Sequence, residues 1–315
     1  MTIRPVTSGI ALGLGCALFL WLGADTAHPA ETSSKPATFM TNGGWCWYQD
    51  PRVVLHDGKL VIGGVQGHGD GSAVVGVYDL DAGENLGQTV LKKRFGHDDH
   101  NAPALYVRPD NRLLAVYALH NRNRQHWYRL SEPKSYLKWG AEKHYSHRYK
   151  RAGNVTYMNL FPMPAEGKLY NFFRGIAFNP CFITSKDHGE TWGEPTHFIV
   201  NEVGGRQRPY ARYAGNGRDT VHVTFTDAHP RNFANSVYYA AFRGGKFYRA
   251  NGKLIKDLAQ DGPLRPSEAD KVFQGNLAKK NPDGIERRGW VSSIVLDGRE
   301  QPHLGYTVHR GNRDH

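Results

Sequence analysis

Three cysteines in 315 residues are too few to staple a disulfide scaffold. Cys16 sits inside an N-terminal apolar run, so only Cys46 and Cys181 remain. They show no CxxC pair and no zinc-finger spacing, and they read as two buried thiols. Long apolar runs are equally scarce. Ile10–Gly23 (IALGLGCALFLWLG) has 14 residues, short of the roughly 20 that span a bilayer. No stretch keeps a helical period. GHGDGS, Gly67–Ser72, is glycine-rich but lacks the Lys-Ser/Thr of a phosphate loop. It reads as a turn. No nucleic-acid-binding motif is present.

What is present begins with a leader. One early cation, Arg4, precedes the apolar run, and small residues follow at Ala24, Ala27 and Ala30. This is the layout of a secretory signal peptide. The expectation is a signal peptide over 1–30, a folded domain over 31–315, and a secreted or periplasmic protein. No stable membrane insertion is expected after leader removal, and the protein is expected to be a monomer. The formal net charge is +11. Such a surface favours an acidic partner. For an exported protein that is an acidic polysaccharide or oligosaccharide rather than nucleic acid.

Beyond the leader, short apolar strands alternate with Gly/Asp/Asn turns. RVVLHDGKLVIGGVQ (Arg52–Gln66) reads as strand, Asp-Gly turn, strand. The plan recurs in ALYVRPDNRLLAVYALH (Ala104–His120), YMNLFPMPAEGKLYNFFRG (Tyr157–Gly175), YARYAGNGRDTVHVTFTDAH (Tyr210–His229) and WVSSIVLDGREQPHLGYTVH (Trp290–His309). Hairpins at this spacing predict an all-β fold, a β-propeller of four-stranded blades. IKDLAQD (Ile255–Asp261) allows one short helical turn. SKDHGETW (Ser185–Trp192) fits the Asp-box, Ser-x-Asp-x-Gly-x-x-Trp. Here Asp187 caps backbone N–H groups, Gly189 supplies an unusual backbone angle, and Trp192 packs below. The box marks a fold and performs no chemistry. The sequence stops at HRGNRDH, just after a strand, so the C-terminus is expected to be incomplete or the blades fewer than a full ring.

The chemistry is sought at hairpin ends. His100 in DDHNAP and His120 in ALHN are 20 residues apart across one hairpin, so both imidazoles can face one mouth. Asp98 and Asp99 either orient His100 or cap the turn. A solvated turn is the bland alternative. Tyr157 and Arg174 end the next hairpin, where an Arg closing an aromatic strand can clamp a carboxylate; a core Tyr and a surface Arg are the alternative. Together these four match β-elimination from a uronic acid. Arg174 would neutralise the carboxylate, a neutral His would remove the C5 proton, and a Tyr hydroxyl would serve as acid, or as both acid and base.

GGWCWYQDPR (Gly43–Arg52), DDHNAPAL, TYMNL, YNFFRG, the Asp-box, RPYARYA (Arg208–Ala214) and TDAHPRN (Thr226–Asn232) resemble the bacterial neuraminidase repeat (Asp-box) propeller family. That family includes ulvan lyases and lyases that remove rhamnose from glucuronic acid. The resemblance implies a seven-bladed propeller with its site at one mouth and catalysis by His100, His120, Tyr157 and Arg174. Asn101, Asn121, Arg208, Tyr210, His229, Arg231 and Asn232 are expected to bind substrate. No cofactor is required for the chemistry. A structural calcium or zinc is compatible with the resemblance, but no spacing fixes a metal site. A hydrolase relative uses a His on the opposite face, where Gln49 stands here; Gln is no general base, which favours the lyase. The early arginine motif of sialidases is missing. A non-catalytic carbohydrate-binding propeller stays open as a rival.

Overall fold

The β-rich patterning is realised as a series of antiparallel sheets in the computed structural model, which describes residues 37–310. The expected leader over 1–30 lies outside the described residues. From Thr38 onward the chain forms one compact unit. The first sheet runs β1 (Val53–His56), β2 (Lys59–Val65), β3 (Ala73–Asp79), β4 (Glu84–Lys92), in sequence order. Its first turn is Asp57-Gly58, with φ of 46° and 69°. These are the left-handed angles that a two-residue hairpin needs to match strand twist. The second sheet is β5 (Ala104–Val107), β6 (Leu113–Tyr117), β7 (Gln125–Leu130), β8 (Lys143–Ser146). The third is β9 (Thr156–Met163), β10 (Lys168–Arg174), β11 (Pro180–Ser185), β12 (Thr196–His197).

The fourth sheet holds β13 (Ala211–Gly215), β14 (Val221–Thr226), β15 (Val237–Arg243), β16 (Lys246–Tyr248) and β17 (Leu254–Asp257), with β18 (Asp270–Phe273) paired to β15. The expected helical turn appears as α1 (Leu258–Asp261), capped by the Asp257 carboxylate. β19 (Arg287–Leu296) and β20 (Pro302–Arg310) form a two-stranded fifth sheet. The fold is thus all-β and of propeller type. The described strands make five sheets, where the resemblance implies seven blades.

The sheets stack face to face in chain order. Val61, Val75 and Val77 of the first meet Leu105, Leu113 and Tyr117 of the second. Leu114 and Val116 meet Leu160, Phe173 and Ile183 of the third. Phe161, Phe172 and Phe182 meet Tyr213, Val223 and Phe242 of the fourth. Inner strands are therefore covered on both faces, and β6 and β14 are buried at every position. This explains the unbroken apolar sequence LLAVY of β6. Each fully buried Phe or Leu contributes on the order of 2–3 kcal/mol. The Asp-box closes the turn after β11 as expected. Asp187 Oδ1 accepts from the N–H groups of Glu190 (3.1 Å) and Thr191 (2.9 Å), and Gly189 takes φ +94°.

The first strands of successive sheets, β1, β5, β9, β13 and β19, adjoin one another. A segment before β1 crosses them all. Gly44 pairs with Val65, the Cys46 N–H donates to Asp99 O (3.2 Å), Asp50 bridges to Asn159, and the Tyr48 hydroxyl donates to Val291 O (2.9 Å). Asp50 also pairs with Arg212 of β13 at 2.6 Å. The WCWYQD stretch is therefore a central tie between sheets distant in sequence.

Candidate active site at the propeller mouth

The Ala104–His120 hairpin does return its end to the level of its start. The His100 and His120 rings stack with centroids 4.1 Å apart and 17° between planes. One carboxylate braces both. His100 Nδ1 lies 2.6 Å from Asp98 Oδ1 and His120 Nδ1 lies 2.8 Å from Asp98 Oδ2. A carboxylate only accepts, so both Nδ1 atoms carry hydrogen. The Nε2 edge of each ring is then the one left for substrate. Asp98 also caps the turn, accepting from the His100 N–H at 3.1 Å. Orienting and capping, posed as alternatives, are both performed by Asp98.

Burial opposes charge on His100. The hydrogen bonds and charges of Asp98 and Asp99 outweigh it and push the imidazole up to about 9. Burial would also raise Asp98, but its bonds to His100 and His120 hold it well below the usual carboxylate range. At neutral pH the group is an Asp98 carboxylate, a His100 imidazolium and the neighbouring His120.

Tyr157 reaches the same place by a bulge. Thr156 pairs with Arg174 and Asn159 with Phe172, so Tyr157 and Met158 oppose the single Phe173. Tyr157 takes φ 65°, unusual for an aromatic residue and strained by roughly 1–3 kcal/mol. Asn159 Nδ2 pins the bulge by donating to Tyr157 O (3.0 Å) and Phe172 O (3.2 Å). The bulge turns the phenol toward the imidazoles, with its ring centroid 5.3 Å from His100 and 6.2 Å from His120. Burial pushes its hydroxyl well above the ordinary range, so Tyr157 stays a phenol.

Arg174 lies over the Tyr157 ring at 4.9 Å and is only 4% exposed. Its Nη2 donates to Thr156 Oγ1 (3.3 Å). Its Nε and Nη1 are buried and meet no protein acceptor. A buried cation with unengaged donors is costly unless an anion joins it. Thr156 Oγ1 also accepts the Asn121 N–H (3.0 Å), linking the His120 loop to the arginine.

The other expected residues divide. Tyr210 and His229 join the group: the Tyr157 hydroxyl lies 3.4 Å from that of Tyr210, which lies 3.4 Å from His229 Nε2. His229 Nδ1 accepts the Arg231 N–H at 3.1 Å, so its neutral ring carries hydrogen on Nε2. Burial, then the charges of Arg208, Arg231 and Arg174, depress His229 to about 4. Three arginines thus converge electrostatically on one neutral imidazole, and Arg208 Nε is a further buried donor without a protein acceptor. Asn232 is exposed beside them, its N–H donating to His229 O (3.0 Å). Asn121 is half-buried, with an unengaged side-chain oxygen.

Asn101 lies deeper than the others. It is 2% exposed, its Nδ2 donates to Phe95 O (2.9 Å), and its Oδ1 accepts the His120 N–H (2.7 Å). Both ends of the amide hold the two histidine loops together. Gln49 is fully buried; its Nε2 donates to His100 O (2.5 Å) and its Oε1 accepts from Cys46 Sγ (3.0 Å). It braces the histidine turn from behind. The sequence reading missed Thr156, Asn159 and the full role of Asp98. Only the single Asn inside the otherwise apolar YMNL hinted at the second.

Cys46 and Cys181 are buried free thiols, as read from the sequence. Two groups of donors among the described residues are close enough for a cation: Cys46, Asp99 and His100, and Asp98, His100 and His120. In the second, each Nδ1–H already meets Asp98 at hydrogen-bond length. In the first, burial pushes the Cys46 thiol up to about 12, away from the thiolate a metal needs. In both groups the donors are already engaged by hydrogen bonds among themselves and to Gln49.

Residues 45–314 match the model of a BNR repeat-containing family. No curated protein sequence matches the chain. Among solved structures, the chain is similar to a PL25 ulvan lyase bound to -[GlcA(1-4)Rha3S]-, with a TM-score of 0.65, 16% identity, and coverage of 87% of this chain and 68% of that one. It is also similar to the polysaccharide lyase Uly1, with a TM-score of 0.53, 12% identity, and coverage of 91% and 75%. At such identities the likeness is one of fold. Among the described residues no helix is long and apolar enough to cross a membrane.

Proposed function

The chain belongs to the BNR repeat-containing family, and from that membership and the mouth's geometry we propose that it is a polysaccharide lyase cleaving a glucuronate-containing acidic glycan by β-elimination. The rhamnose–glucuronate linkage is the candidate bond. The protein acts outside the cytoplasm, as its leader-like N-terminus suggests. One observation carries the reading: a buried arginine with unengaged donors sits against a buried phenol and a carboxylate-braced imidazole pair.

Each element has a task. Arg174 pairs with the uronate carboxylate, so that the C5 proton becomes acidic. His120, with hydrogen held on Nδ1 by Asp98, presents the Nε2 lone pair and takes that proton. The C5–H electrons form the C4–C5 double bond, and the C4–O4 bond breaks. Tyr157 gives its proton to O4. Charge that builds on the carboxylate as the enolate forms is met by Arg174 and by the His100 imidazolium. Proton return from His120 to the Tyr157 oxygen restores both groups.

The test is ultraviolet absorbance of the conjugated, unsaturated uronate, which elimination forms and hydrolysis does not. Protein mixed with ulvan, and separately with gum arabic, is expected to produce it with one of them. New reducing ends without that absorbance would identify a hydrolase. Retention on the glycan with neither product would identify a binding propeller.

A further inference from the structure

The proposed chemistry occupies the inner part of an aromatic series and leaves its outer end unused. Ring centroids follow one another from the imidazoles outward: His120 to His100 at 4.1 Å, His100 to Tyr157 at 5.3 Å, Tyr157 to Tyr48 at 5.2 Å, and Tyr48 to Trp47 at 5.6 Å. Tyr48 is 3% exposed, whereas Trp47 is 45% and Trp45 55% exposed. The alternation with buried Cys46 and Tyr48 puts both indoles on the solvent side of the segment.

These indoles stand on a fixed backbone. Gly44 exchanges two hydrogen bonds with Val65 (2.7 and 2.8 Å), the Cys46 N–H donates to Asp99 O (3.2 Å), and Arg52 Nη1 donates to Cys46 O (3.4 Å). Two large apolar rings held in water beside a polar mouth form a ligand platform. Their chemistry selects the occupant. An uncharged indole face offers a carboxylate nothing, and Arg174 already serves that group. It suits the C–H face of a pyranose ring. Through the buried Tyr48 ring, the series puts exposed Trp47 two ring contacts from Tyr157, so a glycan of a few sugar rings can reach both.

We propose that Trp45 and Trp47 form a saccharide-stacking subsite for the pyranose residues flanking the cleaved uronate; this rests on the lyase reading. The subsite binds chain length and leaves the chemical step alone. The test compares Trp45→Ala, Trp47→Ala, the double variant and Trp47→Phe with the unaltered full chain, on whichever of polymeric ulvan and gum arabic is cleaved and on its shortest cleaved oligosaccharide. In the double variant, KM on the polymer is expected to rise about tenfold, with kcat unchanged. KM on the shortest oligosaccharide is expected to stay constant, and Trp47→Phe to recover part of the loss. An unaltered polymer KM, with elimination intact, would overturn the subsite. Affinity electrophoresis through gels containing ulvan, and separately gum arabic, reads binding without turnover. Retardation by either glycan that the double variant loses, with no unsaturated product from either glycan, would keep the subsite and refute the lyase reading. Neither retardation nor product with either glycan would overturn both.

Discussion

Replacing Asp98 by Asn tests the imidazole pair most directly. The carboxylate accepts both Nδ1–H groups, at 2.6 and 2.8 Å. An amide has one acceptor oxygen, so one ring must lose its bond or change tautomer. The His100 value of about 9, against an ordinary 6.5, corresponds to about 3 kcal/mol in favour of the imidazolium. Asp99 supplies part of this and remains in the variant. The His100 value is therefore expected to fall back toward 6.5. Two assays follow. In kcat/KM against pH, activity should fall as pH rises through about 9 in the natural protein, and Asp98→Asn should move that limb to lower pH. Its maximal kcat should drop on the order of a hundredfold, because a base in the wrong tautomer offers no lone pair. NMR titration of the His100 ring should follow the same shift. The sign for stability is also set. A raised histidine contributes stability in full below 6.5 and loses it as pH rises through about 9. Melting temperature should therefore decline across that window, and less so in the variant. A basic limb and a His100 titration that stay in place would refute the proposed role of Asp98.

Arg174→Ala should lower kcat/KM on the order of a thousandfold with the fold intact, since the guanidinium has one weak protein hydrogen bond; far-ultraviolet circular dichroism checks the fold. Tyr157→Phe should lower kcat on the order of a hundredfold at constant KM, measured by initial rates of unsaturated product. His126 and His147 form a buried pair, Nδ1 to Nε2 at 2.9 Å, and burial depresses His147 to about 3. Stability should fall as pH drops from 6.5 toward 3, because the unfolded chain takes protons the folded one refuses. His147→Gln should flatten that decline in thermal melts. Gly189→Ala should cost about 2 kcal/mol in urea denaturation, because the position needs φ +94° and a Cβ would clash with the Leu114 side chain.

Several features of this protein were legible in its sequence because they are written in local chemistry. Asp57-Gly58 specifies a hairpin turn on its own. Unbroken apolar runs such as LLAVY declare strands covered on both faces. SKDHGETW carries its own capping acceptor and its left-handed glycine. The hairpin pattern also sufficed to put His100 near His120 and Tyr157 near Arg174, since a hairpin returns its end to its start.

The remainder depends on contacts between segments far apart in sequence. Nothing local shows that one Asp98 carboxylate spans two imidazoles, because that requires the His100 and His120 loops to be held together by Asn101. The same holds for Asn101 itself, whose amide is buried between the two loops it joins. The left-handed backbone of Tyr157 follows from a bulge against β10, and burial of the resulting phenol keeps it protonated. The arginines around His229 come from three separate stretches, so their summed field exists only once the sheets have stacked. Local sequence determined which residues could perform the chemistry. Tertiary packing decided which of them share charge, which are sealed from water, and which hold the others in place.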